Sequence, residues 1–390
     1  LVEHRPGLVV AACGGQRLRL RQLGLDAPRR RQCLGRGRLL LRDALLRDEQ
    51  RAGALEAGVE AERPAWTPRP TPRHGPAFVL GIDAGSTVTK AVVLDASQRI
   101  IAQAQRASGD PVDDARSLLA AVKERLAADA PDADLAAIAV TGYGAAWVAP
   151  LVGADLEVVE TVAHARAARA VLPEVEVVCD VGGQDIKVLA LDPGGSIREF
   201  RVSSQCSAGI GMVLESTARE YGVARDRYAE RAFAASRAPR FEDGCVVFLD
   251  AARVGFQREG YTPDEVLAGL ARALPRIVWT QVMNDIRPAE LGRTVLLQGG
   301  VQRNGAAVRA QVDHLFATLP GARVAVHPYP ELAGALGAAL LALDGVPAMA
   351  PRPVRLPMAT LRASKDLRCD LCENRCPRAQ LELVEPDQRR

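Results

Sequence analysis

The chain has 390 residues, 48% hydrophobic and 25% charged, enough for one large domain or two lobes with a sizeable core; a wholly disordered chain is excluded. The net charge of +3 is uneven. Before His74, 15 Arg stand against 8 acidic residues, a surplus of 7, so the remainder carries −4 and asks for no nucleic-acid partner. There is no run of about 18 apolar residues and no signal-like opening, so no membrane contact is expected and the chain reads as cytoplasmic. In that reducing compartment its eight cysteines read as packing, metal or redox groups rather than as a disulfide framework.

Residues 1–74 are Arg-rich and run into "RPAWTPRPTPRHGP", a linker by composition. They predict a partly disordered arm or the remnant of an upstream domain, with a helix around Leu39 to Leu55. From Phe78 the pattern changes. "AFVLGIDAG", "TKAVVLDAS" and "RIIAQAQRAS" read as three strands, "DDARSLLAAVKERLAA" as a helix with Asp113 and Asp114 at its positive end, and "LAAIAVTGYG" as a buried strand. "EVEVVCDVGGQDIKVLALDPGGSIREFRV" repeats strand–turn–strand–turn–strand. A helix with a capping box at Thr262 and Glu265 follows in "TPDEVLAGLARALPRIVWTQV". "TVLLQGGVQRNGAAVRAQVDHLF" reads as strand, Gly-rich turn and helix, and "PELAGALGAALLAL" as a tightly packed helix. Residues 346–390 form a Pro-rich linker and a Cys-rich tail.

Two short segments match each other. "DAGSTVTK", Asp83 to Lys90, and "DVGGQDIK", Asp180 to Lys187, each follow an apolar strand and place Lys seven positions after Asp. The chain has only Lys90, Lys123, Lys187 and Lys365, so half of its lysines fall on this one motif position, which points to an internal duplication. The chemistry suits nucleotide phosphates. Glycines let successive backbone amides close on oxygens, lysine adds a point charge, and an Asp in each loop can hold Mg²⁺ or orient an attacking water. Lys90 and Lys187 are the weaker contacts, because strand alternation can turn either away. Two ordinary charged turns are the bland alternative. The Walker pattern is absent.

These segments, with "LLQGGVQRN", resemble the acetate-kinase, sugar-kinase, Hsp70 and actin superfamily. The resemblance implies an α/β fold of two duplicated ribonuclease-H-like lobes closing on ATP or ADP. The core would span 75–345, with lobe I about 77–175 plus 325–345 and lobe II about 176–324. It implies Asp83, Gly85, Ser86 and Thr87 in one phosphate loop, and Asp180, Gly182, Gly183 and Gln184 in the other. Gln184 would help place the attacking water, and Gly299 and Gly300 would border the adenosine.

Within that superfamily "DVGGQDIK", "CSAGIGMVLE", "DGCVVFLD", "LLQGGVQRN" and "GALGAALLA" fall in the order seen in activators of 2-hydroxyacyl-CoA dehydratases and the BadF/BadG/BcrA/BcrD ATPases of benzoyl-CoA reductases. That resemblance covers roughly residues 78 to 343. It implies a homodimer with one [4Fe–4S] cluster between subunits, each giving Cys206 and Cys245, and an electron donor such as ferredoxin or flavodoxin. The physical fit is that helix N-termini favour thiolates, and thiolates ligate iron. A buried turn cysteine at Cys206 and a strand cysteine at Cys245 are the alternatives, and Cys179 reads as core. Ile210 and Met212 depart from the polar residue and Arg usual there, as does Asp250 to Ala252 from a Glu and Ser. Cys369, Cys372 and Cys376 form C-x₂-C-x₃-C, a candidate separate metal site short of a fourth ligand. A sugar or N-acetyl-amino-sugar kinase, which has no use for Cys206 and Cys245, and an ATP-gated non-enzymatic binding protein are the other readings.

Overall fold

The computed structural model describes residues 12–13, 16–17, 61–68, 78–129, 135–203, 209–241, 246–283, 288–345, 360–368 and 377–384. The chain divides into two units, Leu1–Gly53 and Ala54–Arg390. In the first, Ala12–Cys13 pairs with Gln16–Arg17. The expected helix around Leu39 to Leu55, and Cys206, Cys245, Cys369, Cys372 and Cys376, lie outside the described residues.

The second unit repeats one topology. In the first half, β1 (Phe78–Ala84), β2 (Val88–Leu94) and β3 (Ile100–Ala107) form an antiparallel meander. Next come α1 (Pro111–Asp129), β4 (Leu135–Thr141), α2 (Ala145–Val152), β5 (Leu156–Glu157) and α3 (Glu160–Val171). In the second half, β6 (Val177–Val181), β7 (Ile186–Leu191) and β8 (Ile197–Val202) form the equivalent meander. α4 (Ile210–Glu220), α5 (Tyr228–Phe233), α6 (Val246–Arg258) and α7 (Pro263–Arg276) follow, then β9 (Thr294–Gln298), α8 (Gly305–Thr318), β10 (Arg323–Val326) and α9 (Ala333–Gly345). The sheet orders are β3-β2-β1-β4-β5 and β8-β7-β6-β9-β10, with β4 parallel to β1 and β9 parallel to β6. A further antiparallel pair, β11 (Thr360–Arg368) and β12 (Pro377–Val384), ends the described chain.

Strand alternation decides which way each sheet faces. Leu80, Ile82 and Ala84 pack with α1 and α2, whereas Val79 faces the core built around α9. Val177, Cys179 and Val181 face the large core under α4–α8, while Val178 faces Ala165, Ala168 and Val171 of α3. α3 therefore has two apolar faces. Its Ala163, Ala167 and Ala170 pack with the core around α9, and its Ala165 and Ala168 cover the second sheet. These small side chains let the two inter-lobe helices come close. α7 starts as the sequence predicts: Thr262 Oγ1 accepts from Glu265 N at 3.3 Å and Thr262 N donates to Glu265 Oε2 at 2.9 Å. Val246–Arg258, just after Cys245, is a helix: Leu249 is buried in the large core, and that packing overrides the local β-branched run. Among the described residues no helix is long and apolar enough to cross a membrane.

The chain passes between halves at residues 172–176 and 327–332. At the second crossing His327 is fully buried and its Nδ1 accepts from Tyr329 N at 3.0 Å. Burial pushes its imidazole down to about 3. The neutral ring thus contributes stability that is complete above the ordinary value of about 6.5 and is lost as pH falls toward about 3. His327→Gln is expected to flatten the pH dependence of urea-unfolding free energy across that window, and unaltered slopes would contradict the assignment.

Candidate functional site

The seven-residue spacing of Asp and Lys has a simple cause. In each meander the first hairpin closes through four residues, and Asp83 pairs with Lys90 as Asp180 pairs with Lys187. Both aspartates are the penultimate residues of their strands, on the sheet face turned toward the other half, and both are 3% exposed. Lys90 Nζ reaches Asp83 Oδ2 at 2.9 Å. Lys187 Nζ is 2.9 Å from Glu160 Oε1, 4.0 Å from Asp180 Oδ2 and ion-paired with Asp185. Neither lysine points away; each is occupied by carboxylates. Asp83 Oδ1 and Asp180 Oδ1 are buried with no hydrogen-bond partner.

The loops themselves are tied down. Ser108 Oγ donates to the Gly85 carbonyl at 2.6 Å, and Gly182 N donates to Asp185 O at 2.9 Å. They meet across the cleft, where Thr87 Oγ1 lies 2.8 Å from the place a β-carbon would take on Gly183. Gly299 has φ +93° and packs against the end of β6, where a β-carbon would fall 2.2 Å from the Val181 carbonyl oxygen. Its N–H donates to Pro330 O at 2.9 Å, joining the third glycine turn to the second crossing.

Of the predicted residues, Asp83, Gly85, Ser86, Thr87, Lys90, Asp180, Gly182, Gly183, Gly299 and Gly300 line one cleft between the two sheets. Lys187 sits buried behind it. Gln184 turns out of the cleft. It stands at the apex of its loop, exposed, and its Nε2 lies 3.3 Å from Met212 Sδ, so it is not aimed at a water in this conformation. Sequence reasoning missed Tyr143, Glu160, His164, Asp185 and Glu331, which also line the cleft. Glu160 and His164 are one helical turn apart at the start of α3, and a Glu-x₃-His pair opening an alanine-rich helix was the available signal. His164 Nδ1 is 3.6 Å from Asp180 Oδ1 and its Nε2 is 3.7 Å from Glu160 Oε1.

This group is charge-compensated. Burial opposes the Glu160 charge, but His164 and Lys187 outweigh it and hold the carboxyl at about 2. Burial likewise opposes the Lys187 charge, and Asp180, Glu160 and Asp185 overcome it, raising the lysine above its ordinary value. Burial pushes Asp180 up, against the pull of His164 and Lys187. Among the described residues no three His, Cys, Asp or Glu side chains cluster as a metal centre.

Two duplicated five-stranded sheets, with two phosphate-type hairpin loops facing each other across a cleft, define the ATPase fold of actin, Hsp70 and the sugar kinases. The chain belongs to the BadF/BadG/BcrA/BcrD ATPase family, whose model matches residues 80–342. It is 29% identical over 269 residues to the 2-hydroxyisocaproyl-CoA dehydratase activator of Clostridioides difficile, covering 68% of this chain and 95% of that one. It is 30% identical over 274 residues to the activator of lactoyl-CoA dehydratase of Anaerotignum propionicum, at 68% and 98%. A solved structure of the activator of the 2-hydroxyisocaproyl-CoA dehydratase from Clostridium difficile, with bound ADPNP, superposes with a TM-score of 0.59 at 28% identity, covering 68% of this chain and 94% of that one.

The orphan oxygens of Asp83 and Asp180 predict a divalent-cation requirement. Asp180→Asn is expected to slow ATP turnover on the order of 10²-fold, since a positioned metal is worth several kcal/mol to phosphoryl transfer. Its Tm should hold or rise, because burial already disfavours that charge. Steady-state hydrolysis against Mg²⁺ concentration, with thermal unfolding, checks both; wild-type turnover contradicts the metal role.

Proposed function

We propose that the chain is an ATP-hydrolysing, iron–sulfur activator that passes a low-potential electron to a 2-hydroxyacyl-CoA dehydratase or a benzoyl-CoA-reductase-like partner. The observation that carries this reading is the seating of α4 on the second phosphate loop. Gly211 lies against Gly182, leaving 2.3 Å between an added β-carbon and the Gly182 carbonyl oxygen, and Met212 N donates to Gly183 O at 3.1 Å. Gln184 reaches the same turn through Met212. Cys206 precedes α4 by four residues and Cys245 immediately precedes α6. A movement of the loop on nucleotide binding or hydrolysis would therefore act on the helix that follows the first cysteine.

The residues fit the groups the reading requires. Two buried carboxylate oxygens without hydrogen-bond partners suit a hydrated Mg²⁺ at the phosphates. Two cysteines, each placed just before a helix, suit an anionic cluster, because the helix ends carry partial positive charge. A two-fold dimer supplies the four thiolates of a [4Fe–4S] cluster, which when bound provides one-electron transfer. The chain's own residues do the rest: loop amides hold phosphate oxygens, Asp83 and Asp180 hold Mg²⁺ and water, Lys90 and Lys187 balance those carboxylates, and Gly299 and Gly300 leave room for adenosine. The names of the activators it resembles support this assignment of partner.

Anaerobically reconstituted protein is expected to hold about four iron per dimer and to lose them in Cys206→Ser; a full iron complement in that variant would sink the ligand assignment. Turnover that depends on an added sugar would favour the kinase reading. Gly211→Ala should overpack the seam, costing about 1–3 kcal/mol and weakening ADPNP binding. Thermal unfolding with and without ADPNP reads this, and equal stabilisation of variant and wild type contradicts the seam's role.

A further inference from the structure

The segment "AERPAWTP", residues 61–68, lies ahead of residue 80, where the family match begins, inside what composition reads as a linker. It is nevertheless docked at Ala61, Glu62 and Trp66. Glu62 extends the second sheet past its edge strand β10 as a parallel bridge to Ala325: its N–H donates to Val324 O at 3.1 Å and its carbonyl accepts from Val326 N at 2.8 Å. Its carboxylate takes a two-pronged ion pair from Arg323, Nε to Oε2 and Nη2 to Oε1, each at 2.7 Å. The same guanidinium pairs with Glu174 in the first crossing. Pro64 and Pro68 keep this pairing to a single residue.

Four residues on, Trp66 does something different. Its ring packs on two hydrophobic cores at once, the one around α9 and the first sheet, and the one between α3 and the second sheet. It stands 6.5 Å from the His327 ring and 6.4 Å from the Tyr329 ring, both in the second crossing. Its Nε1 donates to the Gln98 carbonyl at 2.8 Å, in the β2–β3 turn of the first half. That turn is itself fixed, with Gln98 at φ +65° and Asp95 Oδ1 accepting from Ser97 N and Arg99 N. The segment thus holds the edge of one sheet at Glu62 and a turn of the other at Trp66, and touches both crossings.

We propose that Glu62–Trp66 is a strap across the hinge that holds the two lobes in the arrangement where Thr87 meets Gly183, and so sets nucleotide affinity from outside the ATPase core. The proposal rests on the nucleotide reading of the cleft for its effect on affinity, but not for the strap itself. A protein whose binding-competent arrangement is populated only in part binds more weakly by that fraction. Loss of the indole removes the one side chain that, among the described residues, is shared by the two cores, and frees the crossings to bend.

The test uses the full chain with spin-label side chains, introduced as non-natural residues, at exposed Glu124 on α1 and Ala317 on α8. Without nucleotide, the wild type should give one narrow inter-lobe distance distribution and Trp66→Ala a broad one. Trp66→Phe, which keeps a ring but loses the donor to Gln98, should fall between them and decides the matter if the alanine variant fails to fold. The ADPNP dissociation constant should rise at least about threefold in Trp66→Ala. A folded variant with the wild-type distribution overturns the strap, and a broadened distribution with unchanged affinity overturns its control of binding. If the wild type binds no ADPNP, the nucleotide reading fails, while the distance measurement still decides whether the strap holds the lobes.

Discussion

Asp83 and Asp180 stand next to last in the central strands of the two sheets, nearly buried, each opposite a lysine on the neighbouring strand. A carboxylate in that position is unfavourable unless opposite charge and hydrogen bonds surround it. Much of the cleft answers that constraint. Lys90 makes its close ion pair with Asp83, while Asp180 is embedded with His164, Lys187, Glu160 and Asp185. The two sites are related by duplication yet unequal in their surroundings. The difference comes from α3, whose first turn brings Glu160 and His164 to the second loop, and the described neighbours of Asp83 include no equivalent pair. Each aspartate keeps one buried oxygen without a hydrogen bond, so the face that looks into the cleft is left short of donors.

Because the loops are continuous with the ladders, the cleft and the frame move as one. The second loop bears on α4 through Gly211 and Met212, the third glycine turn bonds to Pro330, and the crossings carry buried His327 and the Trp66 contacts. Small residues permit these close approaches: alanines where α3 meets α9, and glycine where α4 meets the loop. A nucleotide that alters the distance between loops would meet resistance at the strap and transmit the change to α4.

The duplicated loops were legible because a fixed Asp-to-Lys offset survives as ladder register when both hairpins close through four residues. The strands were legible from alternation, and α7 from its capping box. What escaped notice depends on long-range contact. Glu160 and His164 matter only because α3 crosses to the second sheet, and nothing in an alanine-rich stretch announces which neighbours it will have. "VVFLD" favours a strand locally, but Leu249 buries into the large core and the segment is helical. Trp66 sits in a Pro- and Arg-rich run that composition reads as linker, since an indole's two partners lie in different halves of the chain. Gln184 could not be oriented from sequence because its side chain answers to Met212, 28 residues on.

The central claim is that nucleotide in the cleft would be felt, through α4, at the iron site proposed for Cys206 and Cys245. Electron paramagnetic resonance of the anaerobically reconstituted, reduced protein, recorded with ADP, with ADPNP and without nucleotide, addresses it most directly. The account predicts an iron–sulfur signal whose g-values or relaxation differ between the ADP and ADPNP states. An identical signal in all three states would contradict the coupling, and the absence of any such signal from protein that still hydrolyses ATP would contradict the proposed function itself.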